Sequence, residues 1–249
     1  MAKLPQMSAV SANQLFIRLP APVQAALLPH LKIIEVTRGQ LLIDDREPVT
    51  QLGFPLTCVA RIDAPMGDGR YAHTGELGRH HMLGTHVVHT QTFGPRRVTA
   101  LIPGYIAICD IDLYRDQFKR SSALRDTFIW LQMQAHRRVG QLAACNATHD
   151  LRQRLSRLLL QIHYMQGITV LPVAQADLAH MLSVRREAIT RELSAVEDAG
   201  LVTLARNRIE LVSLEGLTSR SCPCHTELMF SGRYDYSTLA LSLNPRRRA

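Results

Sequence analysis

Residues 175–198 read QADLAHMLSVRREAITRELSAVED, and the organisation of the chain follows from them. Leu178, Leu182, Val184, Ile189, Leu193 and Val196 are spaced so that two short helices, 175–182 and 185–198, each bury one face against the other. Ser183–Val184 is the tight turn between them, and Ala179 is small where the helices cross closely. The opposite face of the second helix then carries Arg186, Glu187, Thr190 and Arg191 in its first two turns. An arginine grips the O6 and N7 acceptors of guanine with two hydrogen bonds, and a glutamate accepts from the N4 of cytosine. Two positions depart from the ideal pattern. Ser183 stands where glycine is usual, and a left-handed conformation there costs about 1–2 kcal/mol. Glu192 lies near a position that is normally apolar.

Downstream, GLVTLARNRIELV (200–212) is two apolar strands around a basic tip, a wing whose Arg206 and Arg208 reach phosphates. Arg185 and Thr190 join them as expected backbone contacts. Upstream, LRQRLSRLLLQIHYM (151–165) predicts an amphipathic helix. Before it, SSALRDTFIWLQMQAHRRVGQLAACN (121–146) predicts a helix of about 25 residues. Leu124, Phe128, Leu131, Ala135, Val139 and Leu142 recur at steps of three and four, close to a heptad seam, which predicts pairing with a second copy. Ile129, Trp130 and Met133 lie off that seam and are expected to pack on the preceding domain.

From about residue 20 to 112 the chain alternates short apolar runs with glycines. Ile33–Val36, Leu41–Ile43, Cys58–Ile62, Val98–Ile102 and Tyr105–Ile111 have strand composition, and MGDG (66–69) and PG (103–104) read as hairpin turns. Helical turns at about 13–19 and 21–31 precede them. The expected class is α+β: a β-roll sensor domain over 1–112, a dimerisation helix and hinge over 113–148, a winged helix-turn-helix over 149–218, and a tail over 219–249.

Composition is that of a globular protein, with 46% hydrophobic and 20% charged residues. No apolar run is long enough for a transmembrane helix, the first residues lack the apolar stretch of a signal peptide, and a cytoplasmic protein without membrane contact is expected. The formal charge of +8 does not locate a nucleic-acid surface, because 150–218 carries eight basic and eight acidic residues. Five cysteines without framework spacing read as free thiols. No P-loop, Ser/His/Asp order or paired-carboxylate motif points to an enzyme.

With these residues assembled, the chain resembles the Crp/Fnr family of bacterial transcription regulators. RREAITREL (185–193) is similar to the family's recognition pattern S-R-E-T-V-x-R at Arg186, Glu187 and Arg191. NQLFIRLP (13–20), the wing NRIEL (207–211) and the ending SLEGLTSRSCPC (213–224) extend the likeness, the last to a proteobacterial subgroup with a Cys-x-Cys tail. The resemblance implies a cyclic-nucleotide-binding-like β-roll, a homodimer on a roughly palindromic double-stranded DNA site, and contact with RNA polymerase. Arg186, Glu187 and Arg191 read bases in that picture. A member whose β-roll only dimerises and contacts polymerase is the alternative.

The effector is not named by the residues. Cyclic-nucleotide binders of the family carry G-E-L-G followed by R-S-A. Here GELG occurs at 75–78, but Arg96 or Arg97 before Val98, Thr99 and Ala100 lies too far downstream. The better register sets HMLG (81–84) on the cassette, with Met82 in place of the ribose-binding glutamate, which argues against a cyclic nucleotide. An iron–sulfur cluster needs four thiolates, and no cysteine precedes Cys58. Cys222, Cys224 and His225 make three soft ligands at a spacing unlike common zinc motifs, so a flexible tail without metal is expected. His73, His80, His81, His86 and His89 either bind metal or haem, sense pH, or are exposed and idle. The end NPRRRA either adds phosphate contacts or is disordered.

Overall fold

The computed structural model describes residues 7–85, 88 and 96–229. Two short helices, α1 (Met7–Val10) and α2 (Ala21–Leu27), lead into seven strands. These are β1 (Lys32–Val36), β2 (Leu41–Ile43), β3 (Gln51–Pro55), β4 (Val59–Pro65), β5 (Tyr71–Leu77), β6 (Arg97–Ile102) and β7 (Gly104–Asp110). They form two antiparallel sheets, β1-β7-β3 and β2-β6-β4-β5. Val36, Ile43, Cys58, Ala60, Leu83, Val98, Ala100 and Ile106 fill the layer between the sheets. The buried side chain of Asn13 ties the start of the chain to this roll. Its amide donates to the carbonyls of Pro55 (2.8 Å) and His81 (3.0 Å), and its oxygen accepts from the N–H groups of Leu15 and Phe16.

The MGDG hairpin forms as expected between β4 and β5. Pro103–Gly104 does not make a hairpin: β6 and β7 lie in different sheets, and the chain crosses from one to the other at this point. The crossing requires glycine, because a Cβ on Gly104 would stand 2.5 Å from Thr57 Oγ1 and 2.8 Å from the Cys58 nitrogen. Strands β3 and β5 have no counterpart among the expected strands.

Helix α3 (Ile111–Arg120), capped by Asp110, and the 27-residue α4 (Ser122–Thr148), capped by Ser121, follow. Leu124, Phe128, Trp130 and Leu131 pack into a core with Phe16, Leu52, Phe54, Ala107 and Tyr114, on the outer face of sheet β1-β7-β3. This withdraws four of the six expected seam residues from an exposed face, leaving Ala135 and Val139. Leu124, Phe128 and Leu131 belong to the subunit's own interior, and Leu142 is buried farther down against Cys145. Ile129 and Met133 are instead 57% and 62% exposed. The helix carries two apolar stripes, and the interior takes the one read as the dimer face.

The C-terminal half consists of α5 (Leu151–Gln166), β8 (Val170–Leu171), α6 (Gln175–Leu182), α7 (Arg186–Asp198), β9 (Val202–Ala205), β10 (Arg208–Leu211), α8 (Leu214–Arg220) and α9 (Cys224–Leu228). A capping box starts α5: Asp150 accepts from the Gln153 N–H at 2.8 Å and Gln153 accepts from the Asp150 N–H at 3.4 Å. Helix α5 is not amphipathic in the expected sense. Residues 155–162 are buried continuously, because α5 lies between the β-roll side chains Val59, Leu101 and Ile102 and the core of the C-terminal half. No helix among the described residues is long and apolar enough to cross a membrane.

Candidate DNA-binding surface and sensor cavity

Leu178, Leu182, Ile189, Leu193 and Val196 are all within 2% of full burial, and Ala179 sits at the crossing of α6 and α7. Ser183 ends α6 in the left-handed region, φ 54° and ψ 44°, so the serine carries the strain of a position that favours glycine. The Val184 N–H closes the turn on the Ala179 carbonyl at 3.0 Å. Arg186, Glu187, Thr190 and Arg191 are exposed along α7, and Arg185 precedes the helix in extended conformation. Thr190 Oγ1 lies 2.7 Å from Gln175 Oε1, fixing the two helices' relative rotation at that end. Glu192 is half-buried, so α7 accommodates it at the edge of its packed face.

The wing forms from β9 and β10, with Asn207 at φ 55° making its tip. Arg206 and Arg208 are exposed there. A groove lined by Arg186, the start of α6 and the wing residues Ala205, Arg206 and Asn207 connects the two elements. Guanidinium groups from the helix and the wing thus share one open face.

Residues 153–220 match the Crp-like helix-turn-helix domain. Beyond that domain, about four fifths of the chain resembles solved structures in fold. A protein from Eubacterium rectale assigned to that family as a transcriptional regulator is 19% identical, covering 84% of this chain and 98% of its own, with a TM-score of 0.64. FixK2 from Bradyrhizobium japonicum is 13% identical over 77% and 98%, with a TM-score of 0.66. CLP from Xanthomonas campestris, a regulator described as responsive to c-di-GMP, is 17% identical over 78% and 100%, with a TM-score of 0.58. The chain carries a Crp-like helix-turn-helix domain in a Crp/Fnr-type fold. No curated protein matches the chain by sequence.

In this Crp/Fnr-type fold the helix-turn-helix is clasped to the β-roll through α6. His180 Nε2 lies 3.0 Å from Asp63 Oδ1, and Asp177 pairs with Arg38 and, at 3.5 Å, with Arg61. Burial would raise the Asp63 pKa, but the hydrogen bond from His180, the His73 ring 3.7 Å away and the Arg61 charge outweigh it and hold the carboxyl well below the usual range. His73 also stands 2.9 Å from Glu76. Burial of Glu76 is likewise outweighed, by His73 and the charges of Arg138 and Arg157, and its pKa falls to about 2. Glu76 belongs to the literal GELG, and its carboxylate is committed to these partners.

A cavity opens between the β-roll and α4, lined by Ile62, Leu77, Met82, Thr85 and Arg96 on one side and Ala135 and Val139 on the other. Ala135 and Val139 border this cavity while remaining exposed on α4. Of the residues set on the cassette, Met82 and Arg96 reach the cavity. Arg97 does not: it lies over the Tyr71 ring at 4.1 Å and near Asp45. Thr99 pairs with β2 and β4 and is absent from the lining.

The described histidines of the histidine-rich stretch do not converge. His73 joins the carboxylates, His80 stacks on Tyr164 at 4.3 Å, and His81 faces Arg138. His86 and His89 lie outside the described residues, as does the end NPRRRA. The tail differs from expectation in its first part. Residues 224–228 form α9, which folds back on α4 and α5, and Arg137 pairs with Glu227 at 2.8 Å. Cys222 and Cys224 are buried there, not in a flexible tail. His225 points elsewhere, 3.4 Å from Ser221 Oγ, and the partners of the two thiols are Cys145 and His149. Sequence reading missed this group because its two halves are some 75 residues apart. The four-residue spacing of Cys145, in the last turn of α4, and His149, its C-cap, was the available signal.

Proposed function

We propose that the chain is a homodimeric, sequence-specific DNA-binding regulator whose affinity is gated from the cavity between the β-roll and α4. The observation that carries this reading is the exposed row Arg186, Glu187 and Arg191 on α7 beside the wing arginines. Arg186, Glu187 and Arg191 read base edges; Arg185, Thr190, Arg206 and Arg208 hold phosphates. Two recognition helices enter successive major grooves about 34 Å apart, on a roughly palindromic site.

The second subunit packs on the free face of α4. Asp126, Ile129, Met133, His136, Gly140, Ala143 and Ala147 are all exposed and follow one another at steps of three and four. That is the spacing of a coiled-coil seam, bulky above and small below. A ligand in the cavity touches Ala135 and Val139 on the same helix, so it biases how the two copies of α4 meet and thereby where α7 is aimed. The lining is largely apolar, Met82 offers no carboxylate to a ribose, and the Glu76 carboxylate that also borders the cavity is held by His73 and Arg138.

The test is a binding series over single-base variants of the preferred site at several salt concentrations. Arg186→Ala is expected to lose about 1–3 kcal/mol of discrimination at one symmetric pair of positions and little non-specific affinity. Arg206→Ala is expected to weaken all sequences alike and to flatten the slope of log K against log[salt] by about 2 per dimer. An even loss across all variants for Arg186→Ala overturns its base-reading role.

A further inference from the structure

The buried group at the end of α4 has the composition and spacing of a metal site. One ligand atom each from Cys145, His149, Cys222 and Cys224 lies within 4.8 Å of every other. Cys145 Sγ is 3.4 Å from Cys222 Sγ, and Cys224 Sγ is 3.7 Å from His149 Nδ1. Around one zinc ion with Zn–S bonds of about 2.3 Å, tetrahedral geometry sets neighbouring ligand atoms about 3.7 Å apart. The group is therefore drawn to single-ion dimensions.

We propose that Cys145, His149, Cys222 and Cys224 bind one tetrahedral, borderline-soft divalent cation, of which Zn²⁺ fits best. Three thiolates and one imidazole are a donor set that favours zinc over the oxygen-seeking cations. Binding takes up one Zn²⁺ and releases the three thiol protons, with no change of oxidation state.

Two other readings of the cluster explain less. Cysteines serve as small apolar residues, and Leu142 and Leu228 do pack on these three. An apolar cluster has no use for the His149 imidazole, or for the Gln141 amide nitrogen 3.1 Å from Cys224 Sγ. A Cys145–Cys222 disulfide would close the pair from 3.4 Å to about 2.05 Å and strand Cys224 and His149.

Charge supplies an independent argument. Zn²⁺ with three thiolates carries one net negative charge. Arg157 is 1% exposed and close enough to Cys145 and Cys222 for its charge to act on both. Among the described residues Arg157 donates to the Gln161 amide oxygen at 2.5 Å, has no ion pair with a carboxylate, and keeps its Nε without an acceptor. A buried cation without a counter-charge is costly. Glu76 compensates Arg157 in part, without an ion pair, and the metal–thiolate centre supplies further negative charge.

The position gives the ion a task. Cys145 lies in the last turn of α4 and His149 ends it, one residue before the cap of α5. Cys222 and Cys224 flank Pro223 between α8 and α9. One cation thus joins the junction of the long helix and the DNA-binding half to the far end of that half. The half-buried His149 leaves the ion a route from solvent.

The experiment uses the full chain, purified under reducing and anaerobic conditions and analysed for metal, then stripped and titrated with Co²⁺. One zinc per chain is expected, and one Co²⁺ should give intense tetrahedral d–d bands with thiolate-to-metal charge transfer. Cys222→Ser and His149→Ala are expected to weaken or abolish that spectrum, while Cys58→Ser and His225→Ala keep it. Stripping should speed amide hydrogen exchange over 214–229 while far-UV circular dichroism stays unchanged, which separates metal loss from unfolding. Several results overturn the proposal: substoichiometric metal with all thiols reduced, an iron–sulfur spectrum, or a cobalt spectrum that survives Cys222→Ser together with Cys224→Ser. These readouts involve no DNA, so failure here leaves the DNA-binding test unaffected.

Discussion

Replacing Ile129 and Met133 together by alanine should dissociate the dimer without unfolding the subunit. In one subunit these side chains are 57% and 62% exposed, so neither supports its own core. Fully burying such a side chain contributes about 1.5–3 kcal/mol, and the exposed share of each is then worth about 1–2 kcal/mol. Four side chains meet in a dimer, two from each subunit, giving about 4–7 kcal/mol. At about 1.4 kcal/mol per factor of ten, the dimer Kd should rise about 10³–10⁵-fold. Alanine retains some contact, which places the expected value toward the lower end. Sedimentation equilibrium across a wide concentration range reads this directly, with thermal unfolding as the control. A double variant with the wild-type dimer constant would refute the assignment of this face.

Three further outcomes follow from the same structure. Leu131→Asp places a carboxylate in the core beside Phe54 and Trp130 and should cost about 3 kcal/mol or more of stability; a well-folded monomer with unchanged unfolding temperature would restore the original seam. Ser183→Gly relieves about 1–2 kcal/mol of left-handed strain against about 0.5–1 kcal/mol of added chain entropy, so urea unfolding should shift toward higher stability, and a loss would contradict the φ of 54°. Burial opposes charging of His73, but Asp63 and Glu76 outweigh it and raise its pKa. Its contribution is therefore complete below the unfolded value of about 6.5 and lost as pH rises through the folded value. The urea-midpoint advantage of wild type over His73→Gln should shrink as pH rises above about 6.5, and a constant or growing advantage would count against the buried pair.

What the sequence disclosed and what it hid divide along the range of the interactions. The helix-turn-helix was legible to the residue at Gln175, Leu182 and Asp198, because its packing is local and its turn is two residues long. The site's exposed arginines followed from the same periodicity. The face of α4 was misassigned because a helix with two apolar stripes shows the same spacing on both, and only the β-roll decides which stripe it covers. Strand β5 was hidden behind a literal GELG, whose Glu76 turned out to face His73 and Arg138. Cys145 and Cys222 came together only through the return of α9 onto α4, a contact across 77 positions.

The clasp at α6 bears on how freely regulators of this build exchange parts. Asp63 is 2% exposed and relies on His180 as well as Arg61 and His73, while Arg38 and Arg61 converge on Asp177. A chimera that joined this β-roll to another protein's DNA-binding half would inherit a buried carboxylate short of one partner and two arginines short of theirs. The hydrophobic face of α5 would accept many substitutes of similar volume, since apolar packing is forgiving of identity. The polar set is not, because its members satisfy one another across the junction. Recombination near residue 150 is therefore expected to succeed only when Asp177 and His180 travel with Arg38, Arg61 and Asp63, so that the β-roll and the helix-turn-helix must be exchanged as one unit.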